Sequence, residues 1–105
     1  MSDGVVVYFY NEDGKQTTVM TAKQGKINEQ TDDLEADGDV LEVSDDSTKL
    51  RSEKLFWDNQ RHLIHTQEYV YVSSPREKVQ GRGFESDQRL RNYRIFKVTA
   101  QVQAD

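Results

Sequence analysis

Hydrophobic and polar residues alternate with a period of two along most of the chain, whereas the 3.6-residue period of an amphipathic helix is not sustained anywhere. Val5–Tyr10 is an uninterrupted run of β-branched and aromatic residues, and the Asp13-Gly14 pair behind it is a strong hairpin signal. The pattern therefore predicts an all-β, antiparallel protein that begins with a strand and a tight turn.

Clusters of small and acidic residues interrupt the alternation at short intervals and predict further turns. The predicted turns are Glu35–Asp39, Ser44–Ser47, Asp58-Asn59, Ser73–Pro75 and Glu85–Asp87.

An aliphatic residue followed two positions later by a small one recurs every 14 to 16 residues. Residues two apart share a face of a strand, so the repeat places its aliphatic and small positions on one side of a sheet. About 15 residues correspond to two strands of ordinary length with their turns, which predicts a meander built hairpin by hairpin. Generic β composition is the alternative explanation. The pairs are Val19/Thr21, Leu34/Ala36, Leu50/Ser52, Ile64/Thr66 and Val79/Gly81.

Composition narrows the class of protein. Leu, Ile, Val and Phe make up 24 of the 105 residues, a little above the roughly 20% below which a charged chain is disordered. We expect one small domain, residues 1–105, with a thin core and no room for a large buried enzyme cleft. The absence of cysteine excludes a disulfide scaffold, and no apolar run is long enough to predict a transmembrane segment or a signal peptide.

The net charge of −5 is unevenly distributed. Residues 1–47 contain three basic and twelve acidic residues, and residues 48–105 contain eleven basic and seven acidic ones. The basic half can attract an anionic ligand or partner, although a solvated surface explains the same asymmetry.

No constellation of residues points to catalysis, a cofactor or a metal. His62 and His65 are three apart, which predicts opposite faces of a strand. Glu53 and Asp58 show no spacing that favours a glycosidase pair, and the acidic run 29–46 does not match a twelve-residue calcium loop. We expect a protein that is not an enzyme.

Four arginines of the second half, interleaved with aromatic residues, could bind single-stranded nucleic acid, but the overall acidity argues against that partner. They could instead contact lipid phosphates or an acidic protein surface, or simply cover the outer face of a sheet. The arginines are Arg82, Arg89, Arg91 and Arg94.

The order and spacing of several segments together resemble the LptC family, periplasmic components of lipopolysaccharide export. The resemblance covers nearly the whole chain, and no single motif is diagnostic. The segments are Val7–Tyr10 with Asp13-Gly14, Leu34–Val40, Leu50–Asp58, Ile64–Val70 and Val79–Asp87.

The resemblance implies an open, V-shaped β-jellyroll whose apolar inner faces hold the acyl chains of lipid A. Such proteins receive lipopolysaccharide from an inner-membrane ABC transporter and pass it to a periplasmic bridge protein of the related LptA type. The family usually has an N-terminal membrane helix, so the start at Met1–Gly4 favours a trimmed, normally tethered periplasmic domain over an LptA-like bridge. A carbohydrate-binding jellyroll, with Trp57, Tyr69 and Tyr71 stacking on sugar rings, is the alternative from another class.

Two sets of residues follow as binding candidates. An apolar residue on an inner face is either plain core or lipid groove, because a groove in an open jellyroll is its core left open. The inner-face candidates are Phe9, Val19, Leu34, Val40, Leu50, Leu55, Trp57, Ile64, Val70, Val72, Val79, Phe84 and Ile95.

The two terminal segments contain few charged residues, which natural proteins commonly use to prevent strand addition at a free sheet edge. We therefore predict that they are edge strands that accept a strand from a partner or from another copy of the chain. The resemblance implies that the C-terminal edge contacts the bridge protein and the N-terminal edge contacts the transporter. The edge candidates are Val5 and Val7, and Phe96, Val98, Ala100 and Val102.

Overall fold

The computed structural model describes residues 4–103, which form eight strands and no helix. All the pairings are antiparallel, which confirms the all-β prediction. The strands are β1 Val5–Tyr10, β2 Gln16–Ala22, β3 Gln24–Asn28, β4 Asp33–Ser44, β5 Lys49–Asp58, β6 Leu63–Ser73, β7 Glu77–Ser86 and β8 Tyr93–Gln103.

The strands form one sheet in the order β1-β2-β4-β5-β6-β7-β8, with β3 beside β4. Strands β2 and β3 share one side of β4, because β2 pairs with residues 41–44 and β3 with residues 33–37. Strands β1, β3 and β8 each have one paired neighbour, so all three are edge strands, with β1 first and β8 last in the order.

Register shifts lie in the middle of the long strands, at Asp37/Val40 in β4, Ser52/Phe56 in β5 and Thr66/Tyr69 in β6. Such irregularities bend a strand, so the two halves of each long strand belong to different layers. We call these layers the first limb and the second limb of an open jellyroll. The first limb contains β1, β2 and residues 40–44, 49–52, 69–73, 77–82 and 97–103, and the second contains β3 and residues 33–37, 54–58, 63–66, 83–86 and 93–96.

The predicted turn at Glu35–Asp39 was wrong, because this segment lies inside β4. Gly38 and Asp39 have φ angles of 84° and 45°. These left-handed conformations form a bulge instead of reversing the chain, since Ala36 and Val40 on either side are both buried in the core. The chain reverses earlier, at residues 29–32.

The length of the repeat unit was also misjudged. Strands β4 to β8 begin at residues 33, 49, 63, 77 and 93, so the period of about 15 residues is one strand with its turn, and a hairpin takes two periods. These strands have 10 to 12 residues, about twice the ordinary length, because each one contributes to both limbs.

Seven of the eight strands, all except β3, contribute to the first limb. Two adjacent rows of residues cross these seven strands on the outer face of this limb, and we call them the outer rows. Each residue is directly opposite its neighbour in the next strand. The rows are Tyr8, Val19, Val43, Lys49, Ser73, Lys78 and Val102, and Val6, Thr21, Leu41, Arg51, Tyr71, Gln80 and Ala100.

Candidate functional site

The inner faces of the two limbs pack against each other and form an apolar interior. Ten of the thirteen inner-face candidates are buried, with exposed fractions of 9% or less, and two more, Trp57 and Ile95, are partly buried against them. The buried ten are Phe9, Leu34, Val40, Leu50, Leu55, Ile64, Val70, Val72, Val79 and Phe84. The interior is therefore a filled core in this structure.

Val19 is the exception, and its inner-face prediction was wrong. It is half-buried on the outer face, opposite Tyr8 and Val43, while Met20 takes the inner position with 1% exposure. A shift of one residue moves a side chain to the other face of a sheet. The Val19/Thr21 pair matches the repeat in sequence but is out of phase with it in the sheet.

A loop at the free end of the second limb closes the interior on the first limb. This segment, residues 87–92 between β7 and β8, is called the clasp below. Leu90 inserts into the core with 2% exposure. The Thr18 hydroxyl donates to the Gln88 carbonyl over 2.8 Å, and the Gln88 side-chain amide donates to the Tyr10 carbonyl over 3.0 Å.

An ion pair also connects the clasp to the turn that follows β4. Arg89 Nη2 lies 2.8 Å from Asp45 Oδ2, just beyond β4. Two of the four predicted lipid-phosphate or partner arginines are thus paired within the chain, because Arg94 also lies 3.5 Å from Glu85.

Two side-chain contacts also join the limbs. The rings of Phe9 and Trp57 meet edge to face with their centroids 5.2 Å apart, and the Tyr93 hydroxyl donates to Glu77 Oε2 over 2.6 Å. The indole N–H of Trp57 donates to Asn59 Oδ1 over 3.2 Å, which satisfies the polar end of this large ring.

Trp57 and Leu34 extend from the inner face to a surface cavity of about 780 Å³ beside β3. Its wall includes the stacked rings of Phe56 and His65, whose centroids are 5.4 Å apart. Trp57 therefore connects the closed interior with an open surface.

The chain matches the family model described as "Lipopolysaccharide-assembly, LptC-related" over residues 3–103. The chain belongs to the LptC family. Membership makes it a component of lipopolysaccharide transport and implies a periplasmic location. No curated protein matches the sequence.

One inner position of this LptC-family chain carries a carboxyl group that sequence reasoning missed. Glu42 lies on the inner face of β4, directly opposite Leu50 and Met20. It is completely buried, and neither carboxyl oxygen has a hydrogen-bond partner. Burial raises the pKa of Glu42 well above its usual range, and the nearby Asp87 raises it further. The protonated form is the one that this apolar setting favours.

The Leu34/Ala36 pair of the repeat already indicated that Ala36 faces inward, and Ala36 is in the core. Sequence reasoning missed Leu90, which is also in the core. No local signal marks Leu90, because it lies in a polar loop and adopts a left-handed φ of 59°.

The two histidines lie in different surroundings, and each stacks on a different aromatic residue. His62 lies in the β5–β6 turn and stacks on Trp57, whereas His65 on β6 stacks on Phe56. Within residues 4–103, no group of three or more His, Cys, Asp or Glu residues is placed to hold a metal ion.

Glu53 and Asp58 have different surroundings. Glu53 is exposed on β5, and Asp58 Oδ1 accepts the backbone N–H groups of Gln60 and Arg61 in the following turn. Asp58 therefore stabilises the turn.

The three aromatic residues of the alternative carbohydrate-binding reading do not form one platform. Tyr69 and Tyr71 contact each other with centroids 5.1 Å apart, and Tyr71 is exposed in the outer rows of the first limb. Trp57 packs on the opposite, inner side, in the second limb.

The predicted edge residues lie on the two edge strands. Phe96 and Val98 on β8 are each 52% exposed and Val102 is 64% exposed, whereas Val7 on β1 packs against the core. Residues 4–103 contain no helix that is long and apolar enough to cross a membrane.

Proposed function

We propose that this LptC-family chain carries lipopolysaccharide by taking the acyl chains of lipid A between its two limbs. It receives the lipid from an inner-membrane ABC transporter and passes it to an LptA-like bridge protein, without making or breaking bonds. The proposed location is the periplasm, beside the inner membrane to which the protein is tethered.

The observation that carries the proposal is the way in which the apolar interior is closed. The sheet hydrogen bonds run from strand to strand within each limb, whereas the free ends are joined by side chains and the clasp. The clasp contributes two hydrogen bonds, one ion pair and the side chain of Leu90. The limbs can therefore separate without loss of strand pairing.

Separation alone would expose apolar side chains at a cost of roughly 25 cal/mol for each Å². Acyl chains entering between the limbs would cover the same surface, so the open form is stable only when it is loaded. The filled interior is the unloaded form of the carrier.

Site-specific photo-crosslinking tests the proposal. A crosslinking residue at Ile64 in the second limb or Val70 in the first, both completely buried, should form adducts with lipopolysaccharide. The matched controls are the exposed positions Glu53 and Gln67, which should form none. Adducts confined to the two exposed positions would exclude lipid from the interior.

Weakening the clasp should admit lipid faster. The Leu90→Ala substitution should lower the free energy of unfolding by about 2 kcal/mol or more, and it should increase the rate of crosslinking at Val70. An unchanged rate, with the loss of stability confirmed, would show that lipid does not enter past the clasp.

We assign the handoff to the sheet edges. Strand β8 has one paired neighbour, β7, and an exposed apolar surface at Phe96, Val98 and Val102. Addition of a strand to such an edge extends a sheet from one molecule to the next. The bridge protein would add to β8 and the transporter to β1, and the same edges would allow homo-oligomers.

A further inference from the structure

We infer that the outer face of the first limb is a docking surface for an anionic lipid bilayer. The surface consists of the two outer rows, and it lies on the side of the sheet opposite the apolar interior. The inference does not depend on what the interior carries.

Charge is the first observation. The outer rows contain Lys49, Arg51 and Lys78 and no acidic residue. All three side chains are exposed, and none forms an ion pair with any residue in the range 4–103. The remaining residues of the chain carry a formal charge of −8, so an anionic plane repels the rest of the molecule and attracts this face.

The three cations are close enough to act together. Lys49 and Lys78 are both opposite Ser73 in adjacent pairings, which places them two strands or about 10 Å apart. Arg51 is two residues along β5 from Lys49 and projects from the same face.

Apolar and aromatic side chains accompany the charges. Tyr8 and Tyr71 are each 52% exposed, and Val102 is 64% exposed. Tyrosine is favoured where an apolar region meets water at the bilayer surface. A shallow cavity of about 410 Å³ between Tyr71 and Val102 is bordered by all three cations, a combination suited to a phosphate headgroup above acyl chains.

The outer face of the second limb differs from that of the first in its charged side chains. Its lysine at position 54 is 3.7 Å from Glu35 and 3.5 Å from Asp37, and Arg94 is 3.5 Å from Glu85. Acidic side chains therefore accompany the cations of this face, whereas the outer rows contain none, so the two outer faces are not equivalent toward an anionic plane.

Flotation of the chain with lipid vesicles tests the inference. The vesicles contain equal parts of phosphatidylglycerol and phosphatidylcholine, and pure phosphatidylcholine vesicles serve as the neutral reference. We expect binding to the anionic vesicles only, with a bound fraction that falls as salt is added.

The decisive variant is Lys49→Gln/Arg51→Gln/Lys78→Gln. Each basic residue near an anionic surface contributes about fivefold to partitioning, so this variant should bind at least about tenfold more weakly. The matched control, Lys26→Gln/Arg61→Gln/Arg94→Gln, removes the same charge from exposed positions outside the outer rows and should bind like the unaltered chain. Tyr71→Ser should weaken binding without changing its salt dependence.

Three results would overturn the inference. The first is no binding to anionic vesicles, or equal binding to neutral ones. The second is an equal loss in both triple variants, which would make net charge the cause. The third is a salt-sensitive dimer that only the first triple variant abolishes, which would assign the face to a second copy of the chain. Thermal unfolding of each variant establishes that it is folded.

Discussion

Tyr93, at the start of β8, donates its hydroxyl to Glu77 Oε2 at the start of β7, over 2.6 Å, and so joins the second limb to the first. Burial and the Glu77 carboxylate both raise the pKa of Tyr93, so the hydroxyl stays protonated and remains a donor. The contact is a hydrogen bond to a charged acceptor, which is stronger than one between neutral groups.

Tyr93→Phe should therefore lower the free energy of unfolding by about 1 kcal/mol, measured by urea denaturation. The loss in the free energy of unfolding should not greatly exceed this value, because Gln101 still donates to the other carboxylate oxygen of Glu77 over 3.0 Å. Tyr8→Phe is the control, since Tyr8 is exposed on the outer face. Equal losses in the two variants would mean that the hydroxyl of Tyr93 adds nothing to the closed state.

Glu42→Gln should change how stability depends on pH. The folded state raises the pKa of Glu42 and so holds its proton more tightly than the unfolded chain does. The stability contributed by this proton is complete below the unfolded pKa, about 4.3, and is lost as pH rises toward the folded pKa.

The glutamine variant lacks this loss, so its stability relative to the unaltered chain should increase as pH rises from about 4.3 toward neutrality. Urea denaturation across this range measures the difference, with the exposed Glu53→Gln as the control. Parallel pH profiles for the Glu42→Gln variant and the unaltered chain would contradict the assignment.

Gly81→Ala should loosen the β8 edge. A Cβ at position 81 would lie 2.2 Å from the Lys97 carbonyl oxygen and 2.7 Å from Ile95 Cγ2, so β7 and β8 would have to move apart. We expect a loss of about 2 kcal/mol or more. Amide hydrogen exchange should also increase along β8.

Gly25→Ala on β3 is the matched control, because its nearest contacts are the side-chain methyl groups of Val5 at 3.2 and 3.3 Å. Its loss should stay within about 0.5 kcal/mol. If the two alanine variants were equally stable, the close approach of β7 and β8 would not be the reason that glycine is needed at position 81.

Proline substitutions test the β8 edge as a docking strand. Backbone amides alternate sides along a strand, so of Lys97 and Val98 one N–H points toward β7 and the other toward the open edge. Proline at the outward position removes only a donor to the partner. Of Lys97→Pro and Val98→Pro, the variant that keeps its stability should bind an LptA-like bridge protein more weakly in a pull-down.

The other variant should lose stability, because it breaks a bond to β7. If the stable variant captured as much bridge protein in the pull-down as the unaltered chain does, β8 would be excluded as the strand that binds the bridge protein. Val6→Pro on β1 tests whether the effect is specific to the C-terminal edge.

Much of the fold could be predicted from the sequence because burial on one face imposes a two-residue period. The alternation around Leu50, Ile64 and Val70 predicted inner positions that the structure confirms as buried. The turn at Asp13-Gly14 was predicted by residue chemistry alone, and Gly14 has the positive φ of 80° that such turns need.

The remaining features depend on contacts between residues far apart in sequence. Gly38-Asp39 permits either a turn or a bulge, and only the burial of both flanking residues decides between them. Val19 and Met20 are both apolar, so their pairing with β1 and β4 determines which one faces inward. Glu42 looked like a solvated charge within an acidic run, and its burial opposite Met20 and Leu50 depends on strand pairing that no local pattern predicts.

Because each repeat of about 15 residues is one strand, adding or losing a single repeat would reverse the direction in which the last strand runs. A partner that recognises the β8 edge in one orientation would then meet a strand of opposite polarity. Only changes of two repeats, about 30 residues, preserve both the alternation of the sheet and the polarity of its edge. Related chains that keep the same docking partner should therefore differ in length by even numbers of repeats.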